Sequence, residues 1–556
     1  MFERINLSTW FLIVFILLTL VFGFWGWSAS ANFADSLYRT IAALLISDTY
    51  QDSTGIWSWQ IEVARWTGIA AFILGASKAL LVFFSDALIR TKARSRSGHI
   101  LVIGDALFAA AVVNAAQVKK HAVNWLAATG HNYNGIAERL FVQMGNWNLD
   151  QAHLYGLTRA KIAVVSFDDD AKSIAVARQL RAIVKDENQL QIFLSVNALW
   201  LAMRIDEFEG LTGVRVVSQS QAAVRRIHRR HPPFLVAKNY CQKNINSVII
   251  GFGLWGESVL VDSLLSCSVS YLGRSRFTII DPNADSIRKS LNMRYPELER
   301  CADFTYVSKM LSGAENCLEE SDILTIGESG SVTACYVCLP DESESLSAAL
   351  VLQAVANRAA WEMGPIFVRL STPETLTPAS IGVRKLVSAQ LIGFGDMGAL
   401  VEEASILAED TDGLAKALHH AYRSTGSSGR LADVPWRLLS EDKRDANRRV
   451  AMHLPAKLSS TGVDIEPWLE QLDFKPSLGA LPEVTKLITD DKMLEQLAEL
   501  EHTRWMMDRR INGWSYAATR DDKRRFHPDL VPYDELSEQS KSYDRKVITT
   551  LGTALD

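Results

Sequence analysis

Trp10 to Trp27 (WFLIVFILLTLVFGFWGW) is an 18-residue run without a charge. As a helix rising ~1.5 Å per residue it reaches ~27 Å, about the hydrocarbon thickness of a bilayer. Such a run is either a membrane span or a signal peptide, and Ala29-Ser30-Ala31 has the small residues of a cleavage site. The span is the better reading, because the run is long for a signal and few basic residues precede it. A second apolar run also follows, from Trp66 to Phe84, with Lys78 as its one charge. Tryptophans stand at or near the ends of both runs (Trp10, Trp25, Trp27, Trp57, Trp59, Trp66), where indole rings favour the lipid–water boundary.

Orientation follows from charge. Arg90, Lys92, Arg94 and Arg96 follow the second run, against only Asp86. The intervening loop holds Asp35, Asp48, Asp52 and Glu62 against Arg39 and Arg65. The positive-inside rule places both termini in the cytoplasm and residues 28–62 outside, as in a multi-pass protein of the inner (cell) membrane. Within the span, Lys78 either faces a bundle interior or water, or snorkels to the interface.

The rest of the chain reads as soluble. Its 556 residues allow three to five domains of ordinary size. With 48% hydrophobic and 22% charged residues it is neither disordered nor collagen-like. A net charge of −5 provides no global positive field, so a nucleic-acid polymer is not an expected partner. Six cysteines do not make a small disulfide scaffold. Mean hydropathy is +0.04, and the apolar excess is local to the N-terminus.

Between the runs, Phe33 to Leu45 reads as a short, mostly apolar helix. Outer helix, short helix and inner helix together resemble the plan of two-span potassium channels, which implies a tetramer around a pore. Where that family carries a glycine-containing filter, this chain has Ile46-Ser47-Asp48-Thr49-Tyr50. Ser47, Asp48, Thr49, Tyr50 and Lys78 are therefore pore-region candidates, without an implied potassium selectivity. The alternative is a plain two-span anchor with a surface helix outside.

After residue 97, strands alternate with helices. His99–Gly104 is a buried strand ending in glycine, and further strands are expected at 122–128, 139–144, 162–167, 192–196 and 214–217. The segment from Leu149 to Val165 and its continuation Asp168–Arg181 resemble the RCK (KTN) domains, cytosolic nucleotide-binding regulators of potassium channels and transporters. That resemblance implies a Rossmann-like unit over 98–240. Its phosphate loop is degenerate, Gly104-Asp105-Ala106-Leu107-Phe108-Ala109, and no acid ends its second strand. This unit is expected to be empty and structural.

A second such unit is expected over 241–398. Ser247–Ile250 runs into Gly251-Phe252-Gly253-Leu254-Trp255-Gly256, a GxGxxG turn, and Phe277–Ile280 ends in Asp281. The glycines permit a tight turn and close approach of phosphate, the helix N-terminus supplies positive potential, and Asp281 suits ribose hydroxyls. Gly251, Gly253, Gly256 and Asp281 thus form a candidate site for an adenine nucleotide, NAD or ATP/ADP-like. The alternative is a vestigial fold that keeps its glycines for helix packing. Cys335-Tyr336-Val337-Cys338 lacks a companion ligand pair and reads as a buried strand; no metal site is evident. A third glycine run, Gly393-Phe394-Gly395-Asp396-Met397-Gly398, reads as the exit of this unit.

From 399 to 556 helical patterns take over. Glu501-His502-Thr503-Arg504-Trp505, Gly513-Trp514 and His527-Pro528-Asp529-Leu530-Val531-Pro532-Tyr533 occur in order and resemble the RyR domain, named for the ryanodine receptor. Glu501 shares an apolar helix stripe with Leu494, Leu497 and Trp505, and Arg444 lies on a similar stripe, so each needs a partner. One reading pairs Arg444 with Glu501. The other is a pocket lined by Trp436, Arg444, His502, Trp505, Trp514 and Tyr533 for a small nucleotide-like ligand.

The expected fold class is multi-domain: a two-span α-helical membrane region (1–97), two tandem α/β Rossmann-like domains, and a mainly α-helical C-terminal domain. The expected function is a ligand-gated membrane sensor or channel, homotetrameric in the lipid bilayer. By analogy with other sensor-plus-membrane effectors, a role in bacterial antiphage defence is also expected. The alternatives are a non-conducting regulatory subunit of an ion transporter and an NAD-dependent membrane-anchored enzyme. The enzyme reading lacks an acid–base or nucleophile constellation.

Overall fold

The charge-free run folds as α1 (Leu7–Ser28), followed by α2 (Phe33–Leu44) and the 37-residue α3 (Trp59–Ser95). The computed structural model describes residues 7–45, 58–127, 140–144, 156–185, 189–310, 331–358, 363–371, 390–404, 412–424, 434–469 and 490–555, with a few single positions between. The chain divides into two compact units, Met1–Ser95 and Arg96–Asp556.

The first unit buries small and hydroxyl side chains around a small apolar cluster of Trp27, Ala43 and Ile61, and carries large apolar side chains on its outside. Thr19 of α1 is fully buried, with its hydroxyl 2.9 Å from that of Thr67 on α3. Outward-facing Trp10, Phe11, Leu17, Val21 and Trp25 are exposed. In α2, Ser36, Thr40, Ala42 and Ala43 are buried, while Phe33, Leu37, Tyr38 and Ile41 are exposed, as is Leu45 at its C-terminal cap. Glycines let the helices approach: a Cβ on Gly68 would stand 2.4 Å from the Ala43 carbonyl oxygen, and one on Gly26 2.6 Å from Ile61. Lys78 is half-buried and donates to Thr9 Oγ1 of α1 at 2.5 Å, so its ammonium is held by a neighbouring helix. Among the described residues one helix, Thr9–Ser28, is long and apolar enough to cross a membrane. The expected pore residues Ser47, Asp48, Thr49 and Tyr50 lie outside the described residues.

The second unit opens with six parallel strands: β1 (Ile100–Ile103), β2 (Val123–Ala127), β3 (Leu140–Met144), β4 (Ile162–Val165), β5 (Gln191–Val196) and β6 (Val214–Ser218). Their order is β3-β2-β1-β4-β5-β6. The helices between are α4 (Leu107–Val118), α5 (Asp170–Ile183) and the single turn α6 (Leu199–Ala202). Short, fully buried strands such as β1 and β2 are what a sheet covered on both faces requires. Then α7 (Gln219–Arg230) and α8 (Pro233–Asn239) lead to a second sheet.

This sheet repeats the plan with β7 (Asn246–Ile250), β8 (Arg276–Ile280), β9 (Asp303–Val307), β10 (Ala334–Val337), β11 (Ile366–Arg369) and β12 (Leu391–Phe394), ordered β12-β11-β10-β7-β8-β9. Helices α9 (Leu254–Ser266), α10 (Ala284–Arg294) and α11 (Glu342–Arg358) cover it. Both sheets have the doubly wound order, with the reversal beside the first strand. Cys335 lies in β10 and Cys338 just beyond it, both buried, and burial pushes the Cys335 thiol up to about 12. The third glycine run closes β12 into α12 (Met397–Glu403), whose N-terminus is capped by Asp396 accepting from the Ala399 N–H at 2.6 Å.

Helices α13 (Gly413–Ser424), α14 (Glu441–Met452), α15 (Leu454–Ser460), α16 (Asp491–Ile511) and α17 (Glu538–Leu555) form the C-terminal region. This region docks on the second sheet's helices. Ile511 of α16 joins the same core as Ile249, Val259 and Trp125, while Leu454, Leu458, Leu497 and Ile548 pack with Phe234, Cys267 and Val269.

Candidate functional site

Two places concentrate the expected chemistry. The first is the turn from β7 into α9. Gly251 holds φ +79°, the left-handed region that glycine adopts freely, and its N–H donates to the Ile280 carbonyl at 2.9 Å. A Cβ on Gly256 would sit 2.8 Å from the Gly251 carbonyl oxygen, so this glycine lets the helix press on the turn. At Gly253 a Cβ would meet nothing within 4 Å. Gly253 is the N-cap of α9, and no side chain caps that end. The start of α9 thus has no side-chain cap, an arrangement suited to an anion.

Asp281 stands at the end of β8. Its Oδ2 accepts from the Phe252 N–H and its Oδ1 from the Asn283 N–H, both at 2.9 Å. The carboxylate thus ties the glycine turn to the neighbouring strand while retaining lone pairs for ribose hydroxyls. Trp255, at a variable position of the turn, packs edge-on to Phe394 at 5.7 Å, with the Arg369 guanidinium 5.1 Å over its ring. Arg369 is anchored by donating to the Leu339 and Pro340 carbonyls at 2.9 Å each. Trp255 and Arg369 escaped the sequence reading; an aromatic within the GxGxxG turn was the available signal.

The first sheet's equivalent turn is built differently. Gly104 has φ +128°, and a Cβ there would fall 1.8 Å from the Ser166 carbonyl oxygen. Trp125, fully buried, donates from its indole to the Gly104 carbonyl at 2.8 Å. This glycine is kept for packing.

The second place is the face of α16. Trp505, Trp514, His527 and Tyr533 are half-buried. Trp505 meets His527 edge-on at 5.0 Å, Trp514 meets His527 at 6.1 Å, and His502 stacks on Trp505 at 5.5 Å. The Arg509 guanidinium lies 5.6 Å from the Trp505 ring and 5.1 Å from that of Trp514. Desolvation by burial holds His527 below the ordinary histidine range. Two indoles, a neutral imidazole and one guanidinium suit stacking of a flat base beside an anionic group. Arg509, four residues beyond Trp505 on the same helix, and His527 were missed as members of this cluster.

The expected pocket needs three corrections. His502 is buried rather than lining: Nε2 donates to the Val531 carbonyl at 2.9 Å and Nδ1 faces Asp544 Oδ2 at 3.3 Å. Trp436 and Arg444 gather with His419 instead; His419 meets Trp436 edge-on at 5.9 Å, and Arg444 Nε donates to the Trp436 carbonyl at 3.2 Å. Tyr533 reaches the edge of the cluster, 5.9 Å from His502, and donates to Glu495 at 3.0 Å. The Arg444–Glu501 pair also gives way. Glu501 is bound by Lys457 at 2.7 Å and Arg504 at 2.7 Å. Burial alone would raise the Glu501 carboxyl, but Arg504 and Lys457 overcome it and hold the group well below the carboxylate range. Among the described residues, no three His, Cys, Asp or Glu side chains gather as metal ligands.

The chain joins two parallel-sheet, Rossmann-like α/β units to a helical C-terminal region, and residues 484–555 match the RyR domain family. Distant likenesses extend to solved structures. A GsuK structure bound to ADP is 12% identical, with 72% of this chain and 97% of that one covered at a TM-score of 0.35. The GsuK channel bound to NAD is 13% identical over 72% and 82%, at 0.37. Dipicolinate synthase A chain from Bacillus subtilis is 10% identical over 57% and 95%, at 0.19.

Proposed function

We propose that this chain is a membrane sensor, not a catalyst, in which cytosolic ligand binding sets the state of a transmembrane assembly. The observation that carries the reading is the joining of two ligand-suited surfaces by packed helices: α16, which bears Trp505 and Arg509, packs on α9, which begins at the open Gly253 turn. The large apolar side chains that α1 and α2 carry on their outer faces support the membrane half. Leaving a large apolar side chain in water forgoes ~1.5–3 kcal/mol of burial, which a lipid surround restores.

In this reading α1 and α3 both cross the inner membrane, with both termini cytoplasmic, and subunits surround one axis as a tetramer. The second sheet takes an adenine nucleotide at Gly251, Gly253, Gly256 and Asp281, and the RyR-matching region takes a nucleotide-like ligand on Trp505, Trp514 and His527. Each ligand acts only through its different affinity for two conformations. A defence role, with an infection-made nucleotide as signal, is the biological form this device suits.

Calorimetry on the full chain in detergent with ADP and NAD tests the nucleotide site. Wild type is expected to bind at least one of them. Gly253→Ala, whose Cβ meets nothing in the protein, is expected to keep the fold and weaken binding about tenfold, ~1.4 kcal/mol. Equal binding by both proteins would remove the glycine turn from the account.

A further inference from the structure

The loop after α16 does more than present Trp514. Gly513 turns the chain at φ +78°, and the carbonyl of Asn512 just before it accepts from Arg204 at 3.0 Å and from Arg525 at 2.5 Å. Arg204 lies two residues after α6, in the connection between β5 and β6. Arg525 lies two residues before His527 and holds φ +58°, a backbone region sparsely used by residues other than glycine. Both arginines also pair with Glu207, Arg204 at 3.3 Å. The aromatic cluster on α16 is thus fastened to the β5–β6 connection by a two-arginine clamp on one carbonyl.

The contacts continue. The Arg204 guanidinium lies 4.2 Å over the Trp200 ring, and Trp200 meets Tyr295 edge-on at 5.1 Å. Tyr295, fully buried, donates its hydroxyl to Glu257 Oε1 at 2.6 Å, and Arg294 donates to the other oxygen at 2.5 Å. Burial and the adjacent Glu257 carboxylate push the Tyr295 phenol well above its ordinary range, so the donor keeps its proton. Glu257 directly follows Gly256, and its N–H donates to the Gly253 carbonyl at 3.0 Å. One end of this series is the RyR-matching aromatic cluster; the other is the glycine turn.

We infer that the two ligand surfaces are energetically coupled through the series Arg525–Asn512–Arg204–Trp200–Tyr295–Glu257, with the Arg204/Arg525 clamp as the element whose state both sites bias. The inference rests on the nucleotide reading of the glycine turn and adds the route by which that site and the aromatic cluster sense each other. Coupling of this kind is reciprocal, so a ligand at either end reports on it. Adjacency in space alone is not coupling, and the test must measure a response at a distance.

Amide hydrogen exchange of the full chain in detergent, with and without saturating ADP, supplies it. ADP is expected to change exchange across residues 512–527 by about fivefold or more, the lower end of common coupling strengths. Arg525→Gln, which removes the Glu207 pair at a partly exposed position, and Tyr295→Phe, which keeps the ring, are each expected to abolish that change while ADP still binds. ADP binding with unaltered exchange over 512–527 would overturn the coupling alone. A change that survives both substitutions would overturn this route. A chain that binds no ADP at all, by calorimetry on the same sample, would overturn the inference together with the site it rests on.

Discussion

Glu501 is where a single residue decides most. It is 2% exposed, lies on a buried helix face beside Leu497 and Ala498, and is neutralised by Lys457 and Arg504, themselves buried. Glu501→Gln leaves two buried cations without their carboxylate, a change that typically costs ~3–5 kcal/mol. The melting temperature of the variant is expected to fall steeply, whereas Trp514→Ala, at a half-buried turn, should stay near wild type. The pH dependence follows in sign. The folded carboxyl is held below its unfolded value, so its stabilisation is fully present above the ordinary glutamate range, about pH 4.3, and is lost as pH falls through the lowered folded value. Acid melting of Glu501→Gln should lose that steepening; an unchanged acid slope would show that Glu501 does not carry it.

Among the elements, α9 is the test of what glycines do. Gly256→Ala puts a Cβ 2.8 Å from the Gly251 carbonyl oxygen, so helix and turn must separate, at a cost of ~1–3 kcal/mol. A thermal melt should show the loss, in contrast to Gly253→Ala, which has room. The same element shows how far the sequence could be read. Strand, GxGxxG and terminal acid announced β7, α9 and β8, because each rests on local spacing. Asp281 bonding the Phe252 N–H was not legible, since it joins residues 29 positions apart. Helical periodicity likewise placed Glu501 on a buried face but could not name Lys457, on a separate helix; Arg504, three residues on, was within reach of the i,i+3 rule. The contacts of Trp436 and Arg444 with His419 and with each other were not legible for the same reason. Spacing tells which face a residue shares, and only packing of whole helices tells which faces meet.

For the whole molecule, one fact organises the account: residues of both sheets and of α16 share a core. Trp125, Ile249, Tyr336 and Ile511 belong to it together. A ligand that shifts one part therefore works against packing common to all three, and the interior of a protein transmits such strain because it is close-packed. The N-terminal unit buries Thr19, Ser36 and Trp27 and exposes Trp10, Trp25, Trp59 and Trp66. The central claim is that cytosolic ligand binding governs what this unit does in a bilayer. Its most direct measurement is ion flux through liposomes reconstituted with the full chain, recorded with and without ADP, NAD and related adenine nucleotides. The account predicts flux that changes with at least one nucleotide and no longer does so in Gly253→Ala. Nucleotide binding by the reconstituted protein with flux identical to empty liposomes would contradict it.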